Sequence, residues 1–266
     1  MKIKRIINIF IWLILIAYLI IVLGFVSGKK SKILCHSIEV TILDSINNKF
    51  IENIDILSSL SDKGYKLSGY PIENINTEKL EKLINKHPFI KNSEVYKTVD
   101  GILKIEVIQR DPIVRIINNK NESYYIDQEG AIMPLSDKYT SHVLVANGNI
   151  KESFNVKSAA DILFLEANNK KARESIIYDL FCLAQYINSS EFWCSQIEQI
   201  YVNEKNEFEL TPRVGAHIIL FGDFEDYERK FQKLKTLYQK AFNKMGWNHY
   251  KTINLKYKDQ IICTKR

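Results

Sequence analysis

Hydrophobic and polar positions along this chain change period several times, and each change marks a part. Residues 6–28 hold no charged side chain, and Ile9 to Val26 is almost wholly Ile, Leu, Val, Phe, Trp and Ala. A helix needs about 20 apolar residues to cross a hydrocarbon core, so the run predicts a transmembrane helix over 6–28 behind a short tail at 1–5. A cleaved signal peptide has an apolar region of about 7–15 residues; this one is longer, which favours an uncleaved anchor. Lys2, Lys4 and Arg5 precede the run, and Lys29, Lys30 and Lys32 follow it. Positive flanks set orientation, and here they balance, so charge alone leaves the orientation open.

After a polar, basic linker at 29–37 the period becomes two. Ile38, Val40 and Ile42 alternate with Glu39 and Thr41 and predict a strand. Ile51, Ile54, Leu57 and Leu60 then recur at helical spacing, before Gly64, Gly69 and Pro71 interrupt the pattern. A second helix is expected to start at Asn76 or Thr77, either of which can cap it, and to bury Leu80, Leu83 and Ile84. It should stop at His87, because Pro88 disfavours helical geometry in the residue before it. Val95 to Lys97 reads as a strand and Asp100-Gly101 as a tight turn. On the return strand Leu103, Ile105 and Val107 point inward, with Lys104 and Glu106 outward. Asp111-Pro112 interrupts it, since proline cannot donate to an interior ladder. The order strand, helix, helix, strand, strand predicts a small α+β domain over 38–111, its helices on one face of the sheet.

Beyond Pro112 strands dominate, and a second, β-rich domain with flanking helices is expected over 112–258, with a tail at 259–266. Ile113–Ile117, Tyr124–Ile126, Ala131–Met133 and Val143–Val145 are short strand patterns, with a turn at Asp127–Gly130. Ile176, Ile177, Leu180, Leu183, Ala184 and Ile187 form the stripe of one helix. Ile197–Val202, Glu207–Leu210 and His217–Phe221 predict a meander. Tyr227, Phe231, Leu234, Leu237, Tyr238, Ala241 and Phe242 mark another amphipathic helix. Lys251–Tyr257 reads as the last strand, with Ile261-Ile262 trailing it.

Charge and chemistry narrow the function. The formal net charge of +6 includes Lys2, Lys4 and Arg5; the other 34 basic side chains face 31 acidic ones. That balance excludes the clustered basic footprint of a nucleic-acid binder. Cys35, Cys182, Cys194 and Cys263 show no CxxC spacing and no histidine at a ligand offset, so no metal site is expected; their pairing cannot be read from spacing. His36, His87, His142, His217 and His249 are scattered, and no nucleophile elbow, phosphate loop or dinucleotide fingerprint occurs. His217 reads as a strand residue, while Asp223 and Asp226 suit the N-terminus of the helix that follows them. No catalytic residue, cofactor or small-molecule substrate is therefore expected.

Several of these segments also carry a resemblance. His87-Pro88-Phe89-Ile90 closing a helix, the strand around Val95-Tyr96, Gly101–Ile105 and Gln109-Arg110-Asp111-Pro112-Ile113 together resemble the polypeptide-transport-associated (POTRA) domain of the bacterial cell-division family FtsQ/DivIB. Tyr124–Asp127 with Gly130 and Pro134-Leu135 is similar to the hairpin that opens the family's β-rich domain. Gly215–Ile218, Gly222-Asp223, the Lys-rich helix and Tyr250–Tyr257 are similar to its closing pattern. Trp193, Gly246-Trp247 and Ile261-Ile262-Cys263 look most like the Bacteroidetes branch. The resemblance implies a non-enzymatic inner-membrane protein with a cytoplasmic N-terminus and a periplasmic body at the division septum. It also implies FtsB, FtsL and other divisome components as partners, with an FtsB segment adding as a strand to the edge formed by the last strand. Here those residues are Tyr250, Lys251, Thr252, Ile253, Asn254, Leu255, Lys256 and Tyr257. Ile253, Leu255 and Tyr257 are expected on one face, with Thr252, Asn254 and Lys256 on the other. The competing reading makes this strand an ordinary paired member of a closed sheet. A different class, a POTRA-bearing outer-membrane assembly or secretion protein, would need a long series of amphipathic barrel strands of roughly 10 residues each. The region after Pro112, with its helices, offers little room for one.

Overall fold

The computed structural model describes residues 10–22, 33–44, 48–153, 175–242 and 246–266. Residues 10–22 form a helix, α1, with exposed side chains. The rest of the span predicted at 6–28, the tail at 1–5 and the first part of the 29–37 linker lie outside the described residues. Among the described residues no helix is long and apolar enough to cross a membrane. The chain divides into two compact units, Met1–Gln109 and Arg110–Arg266.

In the first unit the elements run β1 (Ser37–Ile42), α2 (Asn53–Asp62), a short 3-10 turn at Ile72–Asn74, α3 (Thr77–Ile84), β2 (Ile90–Lys97) and β3 (Ile102–Gln109). The sheet order is β1-β3-β2, with β3 parallel to β1 and antiparallel to β2. Leu103, Ile105 and Val107 place β3 in the centre because all three are wholly buried. The turn into β3 depends on Gly101, at φ +91, where a Cβ would stand 2.7 Å from the Leu34 carbonyl oxygen.

Both helices start on polar side chains. Glu52 and Asp55 form a reciprocal capping box on α2, and the Asn76 side chain accepts from the Lys79 N–H at 2.9 Å to cap α3. The face expected of the first helix is corrected by this start. Because Glu52 is the cap, Ile51 precedes the helix, and the buried pair is Ile56 and Leu60, one turn apart, while Ile54 is 61% exposed. Leu80 and Ile84 are buried on α3 as expected.

Gln109 ties the end of β3 to the chain between β1 and α2. Its Oε1 accepts from the N–H groups of Phe50 (2.9 Å) and Ile51 (3.1 Å), and its Nε2 donates to the Asn48 carbonyl at 2.7 Å. The side chain is 1% exposed, so each of these partners would otherwise be a buried polar group without water.

The second unit contains β4 (Pro112–Ile117), β5 (Ser123–Asp127), β6 (Ile132–Met133), β7 (Leu144–Gly148), α4 (Ile176–Asn188), α5 (Glu191–Gln196), β8 (Ile197–Val202), β9 (Phe208–Pro212), β10 (Ile218–Gly222), α6 (Tyr227–Leu237) running into a π turn at Tyr238–Phe242, β11 (Tyr250–Asn254) and β12 (Ile262–Lys265). One nine-stranded sheet joins the strands in the order β12-β11-β10-β9-β8-β7-β4-β5-β6. The pairs β4–β7, β7–β8 and β10–β11 are parallel and the rest antiparallel. Register aligns Tyr124, Ile116, Ala146, Ile200, Leu210, Ile219, Ile253 and Cys263 into one row across the sheet. That row belongs to the core that α4, α5 and α6 complete with Leu180, Leu183, Trp193, Phe231 and Leu234. The next row, Asn147, Tyr201, Glu209, Leu220, Asn254 and Ile262, is half-buried or exposed. The helix α5 is an addition to the sequence expectation; its Ser190 cap accepts from Trp193 N–H.

Replacing Gln109 with leucine keeps the volume but strands two N–H groups and a carbonyl, and should cost about 2–4 kcal/mol, measured by denaturant unfolding. Gly148→Ala should be similarly damaging, because at φ +108 its Cβ would collide with the Val202 carbonyl oxygen; a lowered melting temperature is the expected readout.

Candidate partner-binding edge

Parallel strands need a crossover between them, and between β10 and β11 that crossover is α6 with its π turn. Its aromatic stripe reaches the core through Phe231, Tyr238 and Phe242. Asp226 occupies the cap position at φ +51 with no side-chain cap bond, and Asp223 instead pairs with Lys230 through Nζ. Asp226 thus stands at the helix start as expected, though without a side-chain cap bond, and only the expectation for Asp223 is corrected, since its carboxylate is engaged by Lys230. Lys230 is buried, and its ammonium also lies 5.3 Å from the Phe221 ring centre.

The segment expected as the last strand divides into three environments. Ile253 and Leu255 are wholly buried, and the Leu255 N–H donates to the Leu220 carbonyl of β10 at 3.0 Å. Tyr250, Thr252 and Asn254 are half-buried, while Lys251, Lys256 and Tyr257 are exposed. Tyr257 lies beyond the end of the strand, which the structure closes at Asn254. The sequence expectation of a terminal edge at Lys251–Tyr257 does not hold, because β12 follows and pairs antiparallel with β11 through Thr252↔Thr264, Ile253↔Cys263 and Asn254↔Ile262. The reason is that the chain bends at Tyr257–Asp259 and turns back, so Ile261 and Cys263 pack against the core. In Ile261–Thr264 Ile261 and Cys263 turn inward and Ile262 and Thr264 outward, an alternation too brief to mark a strand in the sequence by itself.

Among the described residues the edge strand at this end of the sheet is therefore β12, with the two-residue β6 at the other end. Backbone donors alternate sides along a strand. With Leu255 N–H turned to β10, Asn254 N–H turns to β12, and the N–H groups of Cys263 and Lys265 face outward. Ile262 is 43% exposed on the face away from the helices. Charged side chains fasten the turn beneath: Lys233 Nζ donates to the carbonyls of Leu255 (3.2 Å) and Tyr257 (2.6 Å), and Arg229 pairs with Asp259 at 2.7 Å. Burial, followed by repulsion from Arg229 and Lys230, lowers the Lys233 pKa below the ordinary lysine value. Lys256 pairs with Glu207, and that hydrogen bond holds the carboxyl below its usual range. Burial raises the Cys263 thiol. Cys35 is buried, Cys182 and Cys263 are half-buried and Cys194 is exposed. Among the described residues no group of His, Cys, Asp and Glu is placed to hold a metal ion.

Residues 111–264, more than half of the chain, match the family model described as FtsQ/DivIB, C-terminal related. The chain belongs to the FtsQ/DivIB family. Residues 33–108 match a POTRA-like domain model, so the FtsQ/DivIB body is preceded by the small α+β unit described above. A comparison with curated proteins gives no match. FtsQ/DivIB proteins are a non-catalytic family of the division machinery, and this membership brings the chain a role in the divisome with protein partners.

Asn254 lies between two paired neighbours, so Asn254→Pro should break the sheet rather than an exposed edge. A stability loss of about 3 kcal/mol or more is expected, visible as a shifted denaturation midpoint in the absence of any partner.

Proposed function

We propose that this FtsQ/DivIB protein is a single-pass inner-membrane member of the divisome, anchored by residues 6–28 with its N-terminus in the cytoplasm. Its periplasmic body recruits and holds FtsB and FtsL at the septum, helping to couple septal peptidoglycan synthesis to constriction. The domains are a POTRA domain at 38–111 and a β domain at 112–258, with the closing residues 259–266 belonging to the docking region. An FtsB segment docks by adding a strand to the end of the nine-stranded sheet.

The observation that supports this reading is the outer side of β12, which no strand among the described residues pairs, at the end of a sheet laddered through β11 and β10. Main-chain groups on such an edge supply affinity, and alternate side chains supply specificity. Tyr250–Tyr257 contribute in two ways. Thr252 and Asn254 share the open face with Ile262 and Thr264, while Ile253 and Leu255 hold the edge against the core. An FtsB strand beside β12 places its own side chains next to Ile262 and Cys263. Edge strands left open are a hazard for unspecific pairing, and Lys265 and Arg266 at the end of this one disfavour a second copy by like-charge repulsion.

Cys263→Pro removes an outward donor without touching the inward ladder, and Ile262→Asp puts a charge beside the added strand. Each should weaken FtsB capture by the full-length protein at least tenfold, while Cys263→Ser should not. Capture at the wild-type level by a Cys263→Pro protein with unchanged circular dichroism and melting would remove β12 from the interface.

A further inference from the structure

Resting on the reading of β12 as the docking edge, we propose that His217 is a proton-sensitive latch, loosening the β10–β11–β12 end of the sheet as the surroundings acidify. His217 immediately precedes β10 and is 1% exposed. Its Nε2 lies 2.9 Å from Tyr238 Oη. The ring meets Tyr238 and Phe242 edge to face, with centres 5.8 and 5.2 Å apart. Both aromatic residues belong to the π turn, a rare conformation found mostly where a helix is locally adapted to a special role.

The same imidazole is bracketed by the chain leading into or out of each strand at this end. Gly215, at φ +90, is side-chain-free where a Cβ would stand 2.8 Å from the Trp247 carbonyl oxygen and 2.9 Å from His217 Nδ1. Trp247 packs on Tyr238 and Phe242, and Phe242 stacks on Tyr250 at the start of β11. Arg266, just past β12, donates from Nη2 to the Ala216 carbonyl at 2.7 Å, and its N–H donates to the His249 carbonyl at 3.3 Å. A shift of the His217 ring therefore reaches the entries of β10 and β11 and the exit of β12 together.

The site is built for the neutral ring. Nδ1 makes no hydrogen bond among the described residues, although the Trp247 carbonyl is close enough to favour a proton on the ring. Burial outweighs that effect and lowers the pKa, and the positive charge of Arg266 acts in the same direction. Tyr238, the titratable group from the helix side, is held neutral because burial raises its own pKa. No carboxylate is among the groups acting on the ring. With its folded pKa below the ordinary value of about 6.5, His217 contributes its full stabilisation above that pH. The contribution is lost as pH falls through 6.5 toward the lower folded value, because the opened state binds the proton more tightly. The ratio of opened to closed states then rises by up to about tenfold per pH unit.

The test uses the full-length protein in lipid nanodiscs. Amide hydrogen exchange at residues 262–265, corrected for its intrinsic pH dependence, and capture of FtsB are measured at pH 7.5 and 5.5. The expected result is at least threefold more frequent opening of 262–265 and a parallel loss of FtsB capture at pH 5.5. His217→Gln, which keeps a hydrogen-bonding group for Tyr238 but does not titrate, should abolish both changes. Protection that is the same at both pH values in the wild type, or an equal pH dependence in His217→Gln, overturns the latch. If the variant does not fold, the wild-type His217 ring is titrated by NMR: co-titration of the 262–265 amides below pH 6.5 supports the latch, and its absence overturns it. Failure of FtsB capture at both pH values counts against the docking reading, and the exchange difference then decides the latch by itself.

Discussion

One buried row of side chains holds the larger unit together. It runs across the sheet from Tyr124 through Ile116, Ala146, Ile200, Leu210, Ile219 and Ile253 to Cys263, and the helices α4, α5 and α6 cover it. Side chains on a strand alternate between faces, so a slip of one residue anywhere along the row would send a core residue to water. The register of the eight strands that the row crosses is set by this constraint, including β11 and β12 at one end of the sheet. The polar and half-buried row beside it, from Asn147 to Ile262, lies on the other face from the core that α4, α5 and α6 complete.

The same constraint decides where the sheet stays open. Ile253 and Leu255 must face the core, which brings β11 beside β10 and leaves its other side unpaired. Ile261 and Cys263 also have apolar surface to bury, and they do so by folding back as β12. Lys233 stabilises the fold-back by donating to carbonyls at the end of β11, groups that a strand end leaves without ladder partners. The edge offered to a partner is thus short, close to the C-terminus, and supported by α6 from beneath. In the smaller unit Gln109 plays a comparable part, since one buried amide satisfies three backbone groups between β1 and α2.

Much of this was legible in the chain. The alternation of Leu103, Ile105 and Val107, the Asp100-Gly101 turn and the Pro88 stop describe β3, its hairpin and the end of α3 directly, because each is a local steric or periodic effect. The stripe from Tyr227 to Phe242 likewise announces α6. Other features were hidden. Ile54 sits at helical spacing from Ile51 and Leu57, yet it is exposed, because the Glu52 and Asp55 capping box starts the helix after Ile51 and rotates Ile56 inward. Asp223 looks like a helix-start residue, but the buried ammonium of Lys230 claims it. β12 is four residues long, too short for periodicity to separate it from a tail.

By itself the sequence determined the order of the parts, the α+β unit, the strand-rich body and the residues that must be buried, since periodicity and turn chemistry act within a few residues. It also carried the signature of the FtsQ/DivIB family. Only the tertiary structure decided which strands are neighbours, that Tyr250–Asn254 is paired on both sides and that Ile262–Lys265 is the edge strand at that end of the sheet. Which strand is last depends on pairing between segments far apart in the chain, and no local pattern records it. The same holds for His217, whose five-residue neighbourhood reads as an ordinary strand. Its burial against Tyr238 and Phe242 exists only once α6 has crossed over the sheet.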